Sequence, residues 1–263
     1  MSLLAPLISK AQGLAGLHGL GAIPQAPDSR DIPYRASFAA PLPTLVDLRP
    51  LMPPVYSQGR LGSCTANSTG GAVQYQRRLQ KEPDWVPSRL FIYYNTRALE
   101  GNVNGSGGTN RDAFKAVHNQ GACPETEWPY DPTQVKVKPS AQCYIDGAKY
   151  KALTYLSLAN SDITSLKTCL AQGYPFVIGV LLYSGFEGWK TSHTGVVAMP
   201  GMTDKFLGRH SMLAVGYSDT DQQFIVRNSW GKWFGDQGYV YMPYPYLTNT
   251  TLAFDFWTMR SES

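Results

Sequence analysis

The sequence changes character near its middle, and this change limits the possible folds more than any other feature. Before it, three segments read as helices: 65–79, which lacks proline, 87–101, and 109–121, which ends at Gly121 like a capped helix. One more helix is predicted over 161–173. The chain then reads as strands rich in Val, Ile, Leu and Tyr, namely PFVIGVLLY, HSMLAVGYSD, QFIVRNSW and GYVYMPY. Helices followed by strands predict an α+β fold.

Composition excludes several classes of protein. With 263 residues, 43% of them hydrophobic, the chain can bury a substantial core and needs no disulfide or metal ion to stabilise its fold. No apolar run approaches the roughly 18 residues that a membrane span needs, so we expect none. The net charge is only +4 and the basic residues are scattered, which argues against a nucleic-acid surface. The sequence does not give the compartment, although we favour secretion or delivery into a host over the cytoplasm.

The opening of the chain differs from the rest. Apolar residues at helical spacing within 2–17 predict a short amphipathic helix, and a proline-rich, extended segment follows over 19–43. Because such a segment does not form a packed element of its own, we expect it either to serve as a linker or to cover another part of the molecule. A flexible tail or an export sequence is the alternative.

Cys64, in YSQGRLGSCTAN, is the first candidate for chemistry. A helix that starts near it would place the thiol at the positive end of the helix dipole, which favours the nucleophilic thiolate. Packing, metal binding and disulfide formation are the alternatives. The four cysteines are far apart and none lies in a CxxC, so we expect no metal site. Cys123 and Cys143 can pair in an exported chain.

A thiolate nucleophile needs a base and an oxyanion site. His210 opens a strand that turns over 218–223, and a hairpin centred near 219–221 puts Asn228 opposite it. Asn228 would then fix one ring nitrogen of His210 and leave the other for a thiol. Gln58, in a glycine-rich turn, and the Cys64 backbone N–H would supply oxyanion donors.

Four motifs now occur together in a familiar order. The chain resembles papain-like cysteine peptidases. The matching stretches are QGRLGSCTA, SGGTNRDA, GRHSMLAVGY and RNSWGKWFGDQGYVYM.

The resemblance implies a two-lobed fold with a cleft between a helical lobe, about 46–145, and an antiparallel, barrel-like β lobe, about 146–263. Residues 1–45 would be a pro-segment or a strap that covers the cleft. Leu61 stands where the family usually has a disulfide-bonded cysteine, and Thr65 replaces the aromatic residue after the nucleophile. These departures resemble the bacterial and viral branch of the family.

Catalytic roles also follow from the resemblance. Cys64 would match the nucleophile, His210 the general base and then acid, Asn228 the orienting residue, and Gln58 the oxyanion side chain. No metal or organic cofactor is implied, and the partners would be peptide or protein substrates together with the chain's own N-terminal segment.

Four further residues would contact substrate or shield the site. Trp230 would match the indole that protects the Asn–His hydrogen bond, and Gly107 and Gly108 would bind the substrate backbone as an added strand. Arg209 precedes the base, where its cation would disfavour the imidazolium or attract acidic substrate groups.

The expected activity is peptide hydrolysis through a thiolate and an acyl-enzyme. Two alternatives stay open at this point: a catalytically silent binding protein with the same fold, and a thiol acyltransferase that passes the acyl group to an amine.

Overall fold

The computed structural model describes residues 18–36, 41–151 and 154–260. The helix predicted within 2–17 lies outside the described residues. In the rest of the chain, helices precede a mainly antiparallel sheet, which confirms the α+β prediction. None of the described helices is long and apolar enough to cross a lipid bilayer.

Four of the described helices lie before Thr154, where the main run of strands begins, and three lie among those strands. The first group is α1 (Cys64–Leu79), α2 (Arg89–Leu99), α3 (Asn110–Gln120) and α4 (Ala141–Gly147). The second group is α5 (Ile163–Ala171), α6 (Trp189–Thr194) and α7 (Tyr244–Thr248). The predicted bounds of α1, α2, α3 and α5 agree with these to within two residues at each end.

Side-chain caps explain where two of these helices begin. The Ser88 hydroxyl accepts a hydrogen bond from the Phe91 N–H at the start of α2, and the Thr109 hydroxyl accepts one from the Asp112 N–H at the start of α3. Helix α3 ends at Gly121, whose φ of 71° is a conformation that glycine adopts without strain. Local sequence therefore determines these helix ends.

The sheet contains seven strands, all in antiparallel pairs. They are β1 (Leu45–Asp47), β2 (Thr154–Leu158), β3 (Phe176–Tyr183), β4 (Phe206–Ser218), β5 (Gln223–Arg227), β6 (Tyr239–Pro243) and β7 (Ala253–Arg260). Their order is β2-β7-β3-β4-β5-β6, and β1 pairs with β4. The sequence analysis missed β1, β2 and β7, which pair with strands distant in the chain.

The position of His210 in the sheet differs from the prediction. Strand β4 begins at Phe206, so His210 lies inside the strand and does not open it. The β4–β5 turn over 218–223 is as predicted, but a register shift between Ala214 and Gly216 offsets the pairing beyond it. The ladder ends at Arg227, and the residue opposite His210 is Val180 of β3. Asn228 is therefore not directly opposed to His210.

The first helix packs against the centre of the sheet. At Gly71 of α1, an added Cβ would lie 3.5 Å from Leu213 of β4 and 3.3 Å from the Arg227 guanidinium. Glycine thus lets the helix lie close to the strand that carries His210. Leu213 is fully buried in the cluster shared by the helices and the sheet. The predicted lobe boundary near residue 145 stays a prediction.

Leu213→Ala should destabilise the protein by about 2 to 5 kcal/mol, because it opens a cavity under α1. Leu79→Ala is the matched control, since Leu79 is 39% exposed at the end of the same helix and should cost less than about 1 kcal/mol. Urea unfolding followed by circular dichroism measures both. Equal losses would contradict the packing described here.

Candidate active site

Cys64 is the first residue of α1, as the sequence predicts, and its side chain is completely buried. The backbone of Ser211, Gly21 and Thr65 near the sulfur acts to lower the pKa of the Cys64 thiol. Burial nevertheless dominates and raises the pKa of the Cys64 thiol to about 11. The expected thiolate near neutral pH is therefore wrong for this covered state, because desolvation outweighs the helix dipole.

His210 and Asn228 are in contact although they are not opposed in the sheet. His210 Nε2 and Asn228 Oδ1 are 2.8 Å apart, and the Ser229 N–H donates to the same oxygen over 2.8 Å. Because Oδ1 is an acceptor, Nε2 carries the proton and the neutral ring has its lone pair on Nδ1. Nδ1 is buried and has no hydrogen-bond partner among the described residues.

The His210 ring is held in its neutral form. Burial lowers the pKa of His210 to about 4, the Asn228 hydrogen bond opposes that shift, and the nearby His18 adds to it. Trp230 packs over the pair, with its ring centroid 5.0 Å from that of His210 and only 4% of its surface exposed. Trp230 thus lies over the Asn–His pair, and its role as a shield of that bond stays a prediction.

Cys64 and His210 come from different elements but share a neighbour. The backbone of Ser211, which follows His210 in β4, lies near the Cys64 sulfur and acts to lower the pKa of its thiol. The Ser211 hydroxyl is 2.7 Å from that of Ser68 in α1. Strand β4, which carries His210, and helix α1, which begins at Cys64, are therefore joined by a polar contact.

Gln58 is buried beside these groups, and hydrogen bonds fix the orientation of its amide. Its Oε1 accepts from the Ser229 hydroxyl over 2.5 Å. Its Nε2 donates to the Gly19 carbonyl over 2.8 Å and to the Leu61 carbonyl over 2.9 Å. The side-chain donor that the sequence analysis assigned to an oxyanion thus points at a carbonyl of the chain's own N-terminal region.

Residues His18–Ile23, here called the cleft segment, run across this site. His18 stacks on Trp230 with 4.4 Å between ring centroids and 8° between planes. Further along, Gly108 donates its N–H to the Gly21 carbonyl over 2.9 Å and accepts from the Ile23 N–H over 3.0 Å. The segment therefore pairs with Gly108 as a short parallel strand.

The cleft segment fits only because two of its residues lack side chains. A Cβ on Gly19 would lie 2.3 Å from the Leu61 carbonyl oxygen, and one on Gly21 would lie 2.1 Å from that of Gly62. Both distances are far inside van der Waals contact with backbone atoms, which cannot easily move. The HGLGA sequence of this region carried that signal, which the sequence analysis did not use.

The other predicted substrate-binding residues also face the cleft segment. The Gly107 N–H donates to the Tyr93 hydroxyl over 2.9 Å, which supports the backbone beside Gly108. The Arg209 carbonyl accepts from the Ala22 N–H over 3.2 Å, whereas its side chain is exposed, with Cζ 5.9 Å from the Phe206 ring centroid. The predicted effects of Arg209 on His210 and on substrate choice stay predictions.

Two residues that contact the candidate site were not predicted from the sequence. Ser229 holds the Gln58 amide, and His18 covers Trp230. No local sequence pattern indicates either contact, because each joins positions that are more than 170 residues apart in the chain.

Comparisons with known proteins agree with this geometry. The sequence model of the family described as papain family cysteine protease matches residues 42–250. The chain belongs to the papain family of cysteine proteases. The expected family, two-lobed fold class and enzyme class are thereby confirmed, and the enzyme is a hydrolase of the papain-like type.

Two members of the family match the chain by sequence. An uncharacterized peptidase C1-like protein of Acanthamoeba polyphaga mimivirus is 37% identical over 212 residues, 77% of this chain and 68% of that protein. Cathepsin S of Bos taurus is 32% identical over 222 residues, 81% of this chain and 63% of cathepsin S.

A solved structure matches more of the chain. Xylellain, a cysteine protease from Xylella fastidiosa, superposes with a TM-score of 0.86 at 43% identity and covers 95% of this chain and 98% of its own. The viral and bacterial matches agree with the predicted branch of the family.

In the full chain, iodoacetamide should alkylate Cys64 at pH 7 about 100-fold more slowly than in the same chain unfolded in urea. The raised thiol pKa keeps the neutral thiol dominant until the pH approaches 11, so the rate should rise over that range. Peptide mapping by mass spectrometry measures it. Alkylation at the unfolded rate would show that Cys64 is not covered.

Proposed function

We propose that this protein hydrolyses peptide bonds with Cys64 as nucleophile, His210 as base and then acid, and Asn228 as the residue that orients the imidazole. The observation that carries the proposal is the His210–Asn228 hydrogen bond of 2.8 Å, which leaves Nδ1 buried without a hydrogen-bond partner among the described residues. A structural histidine would normally have both ring nitrogens satisfied.

The reaction follows from these positions. Once the cleft is open to substrate, the Cys64 thiol transfers its proton to His210 Nδ1, and the thiolate attacks the scissile carbonyl carbon. The Gln58 Nε2 and the Cys64 N–H donate to the oxyanion that forms. The His210 imidazolium then protonates the leaving amine, and water, activated by the neutral imidazole, hydrolyses the thioester.

The N-terminal region would keep the enzyme inactive until it is displaced. The cleft segment takes the Gln58 donor and the backbone of Gly108, both of which a substrate would need. The backbone of Gly21 lies near the Cys64 sulfur, so the cleft segment also covers the thiol. We expect activation by displacement or cleavage of the region that ends near residue 45.

A chain that starts at Thr44 should cleave members of a fluorogenic peptide library in mild reductant. Cys64→Ala in the same chain should reduce turnover by at least about 1,000-fold, because it removes the nucleophile. Circular dichroism confirms that both chains are folded. Equal turnover in both chains, or none in either, would contradict the proposal, and capture of the acyl group by an added amine without hydrolysis would indicate the acyltransferase.

Gly21→Ala in the full chain should raise peptide hydrolysis by about tenfold or more, because the added methyl group displaces the cleft segment from the Gly62 carbonyl. Gly201→Ala is the matched control, since its Cβ would meet only an Asp204 carboxylate oxygen at 3.6 Å. Initial rates with one fluorogenic peptide compare the variants. Activation by both substitutions, or by neither, would count against a covering role.

A further inference from the structure

Two buried cysteines lie side by side at the base of loop 124–142, which joins α3 to α4. Cys123 follows the end of α3 and Cys143 lies in the first turn of α4, with exposures of 0% and 1%. Their sulfur atoms and a carboxylate oxygen of Glu127 all lie within 4.8 Å of one another. Neither cysteine belongs to the candidate active site.

The surroundings of the pair favour a sulfur–sulfur bond over a metal ion. Phe91 packs against both cysteines, and burial together with the neighbouring sulfur raises the pKa of the Cys123 thiol. A metal needs the thiolate form and, in a structural zinc site, four ligands. The cluster offers three ligands, and the residue that supplies the carboxylate, Glu127, is exposed. A disulfide, in contrast, removes two thiols from an apolar pocket.

Loop 124–142 supports the turn that precedes the candidate nucleophile. Glu125 forms an ion pair with Arg89 at 2.7 Å, and the Tyr130 ring lies 4.0 Å from the Arg89 guanidinium carbon. The Tyr130 hydroxyl donates to the Gln58 carbonyl over 3.0 Å and is 2.6 Å from the Ser63 hydroxyl. The residues at the two ends of loop 124–142 therefore influence how rigidly the loop supports the turn before Cys64.

We propose that Cys123 and Cys143 form a disulfide when the chain folds in an oxidising compartment, and that this bond fixes loop 124–142 and thereby stabilises the helical half of the protein. The bond would replace the disulfide next to the nucleophile, which Leu61 makes impossible, with a different one about 60 to 80 residues further along the chain.

The oxidant is a small-molecule disulfide such as glutathione disulfide. One cysteine thiolate attacks it and releases a glutathione thiolate, and the second cysteine then attacks the mixed disulfide and releases another. Two protein thiols and one glutathione disulfide thus become one protein disulfide and two glutathione thiols. Because both cysteines are buried, exchange proceeds during folding or when the loop opens locally.

The test uses the full chain with Cys64→Ala, so that the candidate nucleophile does not exchange. The protein is refolded in a glutathione redox buffer, free thiols are blocked with N-ethylmaleimide, and the digest is mapped without reductant. We expect a peptide in which Cys123 is cross-linked to Cys143, a mass loss of about 2 Da, and a Tm about 5 to 10 °C above that of the reduced protein.

Cys123→Ser should abolish the cross-link and the Tm difference. Cys169→Ser, at an equally buried cysteine of α5, should retain both. Blocked thiols at both positions, glutathione adducts alone, or one zinc ion per chain held by the reduced pair would overturn the proposal. If Cys123→Ser does not fold, the peptide map of the Cys64→Ala parent chain still shows whether the cross-link forms. These measurements do not depend on peptide hydrolysis, so their outcome is independent of the proposed function.

Discussion

The contact between the first turns of α1 and the middle of β4 determines the position of every reactive group in the candidate site. The Ser211 hydroxyl donates to Asn110 Oδ1 over 2.7 Å and is 2.7 Å from the Ser68 hydroxyl, so one residue of β4 is tied to two helices. Its backbone lies near the Cys64 sulfur, and His210 precedes it. Because a glycine of α1 faces the sheet, helix and strand approach closely enough for these polar contacts.

Burial by the cleft segment has an electrostatic consequence. A thiolate and an imidazolium that are excluded from water lose solvation, so the covered pair is neutral, with the pKa of Cys64 raised to about 11 and that of His210 lowered to about 4. A lowered histidine pKa means that the covered state holds fewer protons than an open one between pH 4 and 6.5. Covering therefore weakens as the pH falls through that range, and the raised pKa of the Cys64 thiol also weakens it as the pH rises from 9 towards about 11.

Sequence reasoning located most of this arrangement, and its failures have physical causes. Helices α1, α2 and α3 were predictable because local caps, glycines and periodicity define their ends. The His210–Asn228 contact was predicted through a hairpin register that is wrong, since the shift between Ala214 and Gly216 lies outside any local signal. The two side chains meet because His210 and Asn228 both lie beyond the last paired residues of the β4–β5 ladder. Strands β1, β2 and β7, and the bond from Ser229 to Gln58, join distant parts of the chain and leave no periodic trace.

Inhibition in trans tests whether the cleft segment occupies the place of a peptide substrate. A synthetic peptide with the sequence of residues 18–36 is added to the chain that starts at Thr44, and the hydrolysis of a fluorogenic peptide is followed. We expect competitive inhibition, and inhibition about tenfold weaker by the same peptide with Gly21→Ala. No inhibition at millimolar concentration, or equal inhibition by both peptides, would contradict that placement.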